Sequence, residues 1–95
     1  MDEIYILDAC AVIALLRDEK GADTVEKVLI RAESGSAKVY MNIINIMEVY
    51  YDFYRSDGES FANEQLLRLQ NSVIIIDSYV TNDLLKEAGR IKALY

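Results

Sequence analysis

Hydrophobic positions along the chain change period several times, and each change marks an element. Ile4-Tyr5-Ile6-Leu7 is an unbroken apolar run of β-formers, the pattern of a strand buried on both faces. Ala9 to Arg17 is rich in Ala and Leu and predicts a short helix directly after that strand. Ala22, Val25, Val28, Leu29 and Ala32 follow helical spacing, and Gly35 is a stop signal. Lys38-Val39-Tyr40-Met41 predicts a second strand, followed by a strongly apolar helix from about Ile46 to Tyr54, with Asp57-Gly58 as the break. Phe61, Ala62, Leu66 and Leu69 mark another helix, and Val73-Ile74-Ile75-Ile76 is the clearest strand because β-branched residues dominate it. Val80, Leu84, Ala88, Ile91 and Tyr95 then form an amphipathic stripe. Strands alternating with helices predict an α/β fold with a short parallel sheet and right-handed crossovers. There is no repeat, linker or charge block, so residues 1–95 read as one domain.

Composition narrows the chemistry. Hydrophobic residues make up 53% of the 95 and charged residues 27%, a balance that suits a folded core and argues against disorder. Sixteen acids against ten bases give a net charge of −6, which argues against holding nucleic acid by a broad basic face. An enzyme that meets phosphates through divalent cations remains compatible with that charge. Histidine is absent, which removes histidine triads, histidine acid–base chemistry and histidine-containing zinc sites together. A metal site here uses oxygen ligands, and chemistry rests on carboxylates. The run from Ile4 to Leu16 is interrupted by Asp8 and is too short to span a bilayer. Asp2 and Glu3 stand where an export signal carries positive charge, and the single Cys10 forms no internal disulfide, so the cytoplasm is the expected compartment.

Two acids stand out. Asp8 lies where the first strand hands over to a helix, and ligands of open parallel sheets bind beyond the carboxyl ends of strands. Its structural reading is an N-cap for the helix that begins at Ala9, and the two roles are compatible. Glu48 lies inside an apolar segment, in Asn45-Ile46-Met47-Glu48. Its structural reading is a capping box, with Asn45 as the N-cap and Glu48 reaching back to it. If the first two strands are neighbours, both acids lie at one edge of the sheet and can converge. Their mutual repulsion is then relieved by a cation between them. Cys10 reads as a small buried core residue.

The segment Ile4-Tyr5-Ile6-Leu7-Asp8-Ala9-Cys10, with the apolar residues after it, resembles the opening motif of PIN-domain nucleases. Tyr40 to Val49, with Asn45 three places before Glu48, resembles that family's second motif. Ala88-Gly89-Arg90-Ile91-Lys92-Ala93 is similar to the segment preceding the third. The resemblance implies a three-layer α/β/α domain and a metal-dependent endoribonuclease, most like the VapC-like toxins of type II toxin–antitoxin pairs. Asp8 and Glu48 would then coordinate Mg²⁺ or Mn²⁺, with Asn45 in support. RNA would be the substrate and an antitoxin protein the partner.

The same comparison predicts departures. The family adds acids and a further parallel strand after the helix in which this chain stops, so the chain reads as a PIN-like domain without its C-terminal strand and helix. Asp77 ends the third strand, two strand positions from Asp8, and is expected to start a turn rather than share the ion. Asp83 is expected to be structural. The first strand becomes an exposed apolar edge, which predicts a homodimer through that edge or through helix 80–95. The aromatic cluster Tyr50, Tyr51, Phe53 and Tyr54 reads as core or subunit contact, and Arg55, Arg68, Arg90 and Lys92 as solvated surface. The alternatives are a catalytically silent PIN unit that oligomerises or binds an antitoxin, and, last, a phospho-acceptor signalling domain using Asp8 and Asp77. The latter needs paired acids after the first strand, where this chain has Ala9-Cys10.

Overall fold

A computed structural model describes residues 3–78 and, singly, Lys86. Three strands and four helices alternate: β1 (Glu3–Leu7), α1 (Ala9–Leu16), α2 (Ala22–Glu33), β2 (Ala37–Asn42), α3 (Ile43–Asp57), α4 (Glu59–Gln70) and β3 (Ile75–Asp77). The strands form one parallel sheet in the order β1-β2-β3. The α/β class read from the sequence is therefore the observed one, as are the breaks at Gly35 and Gly58. The helix expected over 80–95, with Asp83, Arg90 and Lys92, lies outside the described residues.

Strand order decides where the helices sit. Right-handed crossovers that advance the sheet in one direction both return across the same face. That face holds Tyr5 and Leu7 of β1 with Ala37, Val39 and Met41 of β2. Leu7, Ala37, Val39 and Met41 are buried there. Val12 of α1, Val25 and Ala32 of α2, Ile46, Val49 and Phe53 of α3, and Ala62 and Leu69 of α4 join Leu7, Val39 and Met41 in a single apolar cluster. The opposite face carries Ile4 and Ile6, which pair with Lys38 and Tyr40, and Ile75, which pairs with Tyr40. Ile4 and Ile6 are 67% and 77% exposed, so β1 is buried on one face and not on both. Among the described residues the architecture is thus a sheet with one helical layer.

Two element boundaries differ from the sequence reading. α3 begins at Ile43 rather than near Ile46, because the side chain of Asn42 accepts from the Ile44 N–H at 2.8 Å and caps the helix three residues earlier. Asn45 is therefore inside the helix, and the capping box is not formed. Strand pairing in β3 starts at Ile75 rather than Val73, since the Ile74 N–H is taken by the Ser72 hydroxyl at 3.2 Å and the first partner of Tyr40 is Ile75. Cys10 is exposed, because Ala9 and Val12 occupy the inward side of α1. On the other flank, Arg31 of α2 reaches back to β1, donating to Glu3 and, at 2.9 Å, to the Tyr5 hydroxyl.

Candidate active site

The carboxyl ends of the strands gather the polar residues. Leu7 of β1 pairs with Met41 of β2, and Met41 with Ile76 of β3. Asp8 follows Leu7 directly, and Asn42 pairs with Asp77. Asp8 Oδ1 accepts from the Ala11 N–H at 2.9 Å, so Asp8 caps α1 just as Asn42 caps α3. Two helix N-termini consequently open side by side on one edge of the sheet, from adjacent strands. Their unpaired N–H groups and positive dipole ends favour an anion there, which offsets the acidity of the whole chain.

Capping occupies one oxygen of Asp8. Asp8 is exposed, and Oδ2 takes no part in the cap, so that oxygen can meet a cation while Oδ1 holds the helix. Asp77 stands two strands away across β2, which at the usual strand spacing is about 10 Å.

Glu48 is half-buried on α3, five residues beyond Ile43 and about 7.5 Å along the axis. Long helical side chains lean toward the N-terminus, here the edge that carries Asp8. The face on which Glu48 lies can be fixed from its neighbours. Asn45, Glu48, Asp52 and Ser56 fall at i, i+3, i+7 and i+11, one narrow stripe of an α-helix. Asp52 and Ser56 on that stripe are gripped by Arg17 at the end of α1. The lower part of the stripe therefore meets α1, and Asn45 and Glu48 continue the same stripe toward the end of α3 that starts beside Asp8.

The lower half of the stripe is a tight ion cluster. Arg17 Nη2 is 2.6 Å from Ser56 Oγ, 3.0 Å from Asp57 Oδ2 and 3.4 Å from Asp52 Oδ2. A nitrogen with two protons makes two full hydrogen bonds, so the longer Asp52 contact is an ion pair. The guanidinium carbon also lies 4.5 Å from the centre of the buried Phe53 ring. The Ser56 hydroxyl, with Arg17 adding to it, holds the Asp57 carboxyl below its ordinary range of 3.8 despite some desolvation. Neither Arg17 nor Asn42 was legible as a site residue. Asn before an apolar helix is a capping signal that the later Asn45 obscured, whereas nothing in sequence spacing links Arg17 to residues nearly forty positions away.

The aromatic residues join α3 to α4. Phe53 is fully buried and packs on Phe61 at 5.4 Å, and the Tyr50 hydroxyl donates to Asn63 at 2.7 Å. Phe53 is the core residue the pattern predicted.

These features define an α/β protein whose polar groups converge at the carboxyl edge of a parallel sheet, with oxygen donors only. Among the described residues no group of three or more acidic, histidine or cysteine side chains is close enough to hold a metal ion. Asp8 and Glu48 are carboxylates, the donor type that suits Mg²⁺ or Mn²⁺. Over residues 5–95 the sequence matches the family profile described as a PIN domain. The chain belongs to the PIN-domain family, whose members are in general divalent-metal-dependent nucleases acting on RNA. No curated protein and no solved structure gives a match. Among the described residues no helix is long and apolar enough to cross a membrane.

Proposed function

We infer that the chain is a metal-dependent endoribonuclease of the toxin type, VapC-like, in which Asp8 and Glu48 hold Mg²⁺ or Mn²⁺. The observation that carries this reading is the shared edge. Asp8 caps α1 there, and Glu48 lies on the stripe of α3 whose lower part meets α1. A bound ion would supply positive charge beside the scissile phosphate and a water acidified toward neutrality. The chain's own residues hold the rest of the site. Asn45 precedes Glu48 on the same stripe and orders it, while the paired helix N-termini attract the phosphate. The cytoplasm is the compartment in which such an enzyme meets RNA, and an antitoxin protein is its partner. A second copy pairs through the β1 edge, where Ile4 and Ile6 are exposed and β1 has only β2 as a neighbour among the described residues.

Cleavage of single-stranded RNA with Mn²⁺ tests the assignment. Asp8→Asn and Glu48→Gln are each expected to abolish cleavage while the fold persists. Cleavage that survives both substitutions would overturn the site.

One observation favours a second reading, a silent PIN unit that binds an antitoxin. It is the small donor set, two carboxylates without a third among the described residues. Under that reading the wild-type chain binds Mn²⁺ weakly and cleaves no RNA at any metal concentration.

A further inference from the structure

The two carboxylates of the candidate site ride on different helices, so their separation depends on what fixes α1 against α3. Asp8 stands at the start of α1, and Glu48 one turn before Asp52 on α3. The two helices pack against each other. Arg17, the C-cap residue of α1, is a polar link between them. It bonds Ser56 Oγ at 2.6 Å and Asp57 Oδ2 at 3.0 Å, pairs with Asp52 at 3.4 Å, and stacks on Phe53 at 4.5 Å. These contacts come from three directions. The bonds to Ser56 and Asp57 fix the slide of α3 along α1, and the stack on Phe53 fixes its rotation.

We propose that Arg17 is a positioning residue for the metal-binding acids: by clamping Asp52, Ser56 and Asp57 it sets the height and azimuth at which Glu48 is presented to Asp8. This rests on the nuclease reading of those two acids. Arg17 suits the task for physical reasons. Its planar fork serves several acceptors at once and stacks on an aromatic face, whereas a lysine ammonium is a point charge on a flexible stem. The clamp also neutralises Asp52, which lies four residues from Glu48, where like charges repel.

The sign of the effect separates position from charge. Arg17 is a cation, so removing it should tighten metal binding if only its field mattered, and replacing it with Lys should change nothing. A positioning role predicts the opposite in both cases. The experiment is a Mn²⁺ titration of the full chain, followed by electron paramagnetic resonance of free Mn²⁺, with helical content checked by circular dichroism. Arg17→Lys and Arg17→Gln are each expected to weaken Mn²⁺ affinity about tenfold, the scale of lost outer-shell support. Leu69→Ala, a core change on α4 away from the clamp, is expected to keep wild-type affinity. An Arg17→Lys affinity within twofold of wild type overturns the proposal. So does an equal loss in Leu69→Ala, which would mark a stability effect. If Asp8→Asn loses Mn²⁺ but Arg17→Lys does not, only the positioning role falls. If Asp8→Asn binds Mn²⁺ like the wild type, the nuclease reading itself falls and takes the clamp with it.

Discussion

Asp8 caps α1 through Oδ1, and the metal role proposed for it falls to the other oxygen; substitution separates the two. Asn caps a helix about as well as Asp, so Asp8→Asn keeps the bond to Ala11 and should melt with the wild type. Asp8→Ala removes the cap as well and should cost about 1 kcal/mol in thermal or urea unfolding. A melting loss in Asp8→Asn as large as in Asp8→Ala would show that charge, not capping, holds the start of α1. Gly58 is another residue whose identity is dictated by backbone alone. Its φ of 91° and ψ of 172° lie in a region essentially reserved for glycine, and a Cβ there would meet nothing within 4 Å. Gly58→Ala should therefore cost about 1–3 kcal/mol from strain alone, measured by urea unfolding. Asp57 gives a pH signature. Its folded pKa lies below the unfolded value of 3.8, so its contribution is fully present above 3.8 and is lost as pH falls through the lowered value. The stability gap between wild type and Asp57→Asn should hold constant near neutrality and close only in acid, below 3.8. A gap that closes nearer to pH 6 would assign it to another group.

At the scale of elements, α3 holds the most consequences. It runs from the Asn42 cap to the Gly58 turn, burying Ile46, Val49 and Phe53 on one side and presenting Asn45, Glu48, Asp52 and Ser56 on another. Phe53→Ala removes a fully buried ring that contacts Phe61 and supports Arg17, and should cost about 3–5 kcal/mol in urea unfolding. Tyr54→Ala, next in sequence but nearly half exposed, should cost far less, and equal losses would contradict the assigned face. Elements with a clear period were legible in the sequence: Ile4–Leu7 as a strand, Ala22–Ala32 as a helix, Asp57-Gly58 as a break. The start of α3 was not, because two asparagines three residues apart offer the same chemistry and only the end of β2 decides between them. The outward turn of Ile4 and Ile6 was illegible for another reason. An apolar run states that a strand is hydrophobic, while the number of covered faces follows from strand order and crossover direction. Asp8 and Glu48 could be singled out as isolated acids in apolar surroundings. Arg17 could not, since its partners are set by how two helices happen to pack.

At the scale of the whole molecule, helices cover one face of the sheet and the other presents Ile4, Ile6 and Ile75 among the described residues. Each isoleucine fully covered on association would contribute about 1.5–3 kcal/mol, enough for two or three to matter. Sedimentation should show wild type as a dimer at micromolar concentration and Ile6→Lys as a monomer with unchanged helical content. A wild-type monomer at that concentration would remove the edge-pairing proposal. The sheet's order, β1-β2-β3, is also the order in which the ribosome delivers the strands. Each strand joins the one made before it only across a crossover of two helices, Glu3 meeting Ala37 and Tyr40 meeting Ile75, so the sheet closes by non-local contacts, the regime of slower folding. Asp8 and Glu48 of the proposed site, and Arg17 proposed to brace them, lie within the first fifty-seven residues, up to the end of α3. Phe53, on which Arg17 stacks, packs on Phe61 and shares one apolar cluster with Ala62 and Leu69, so the core behind these residues is complete only once α4 has been made, and the domain closes as a unit.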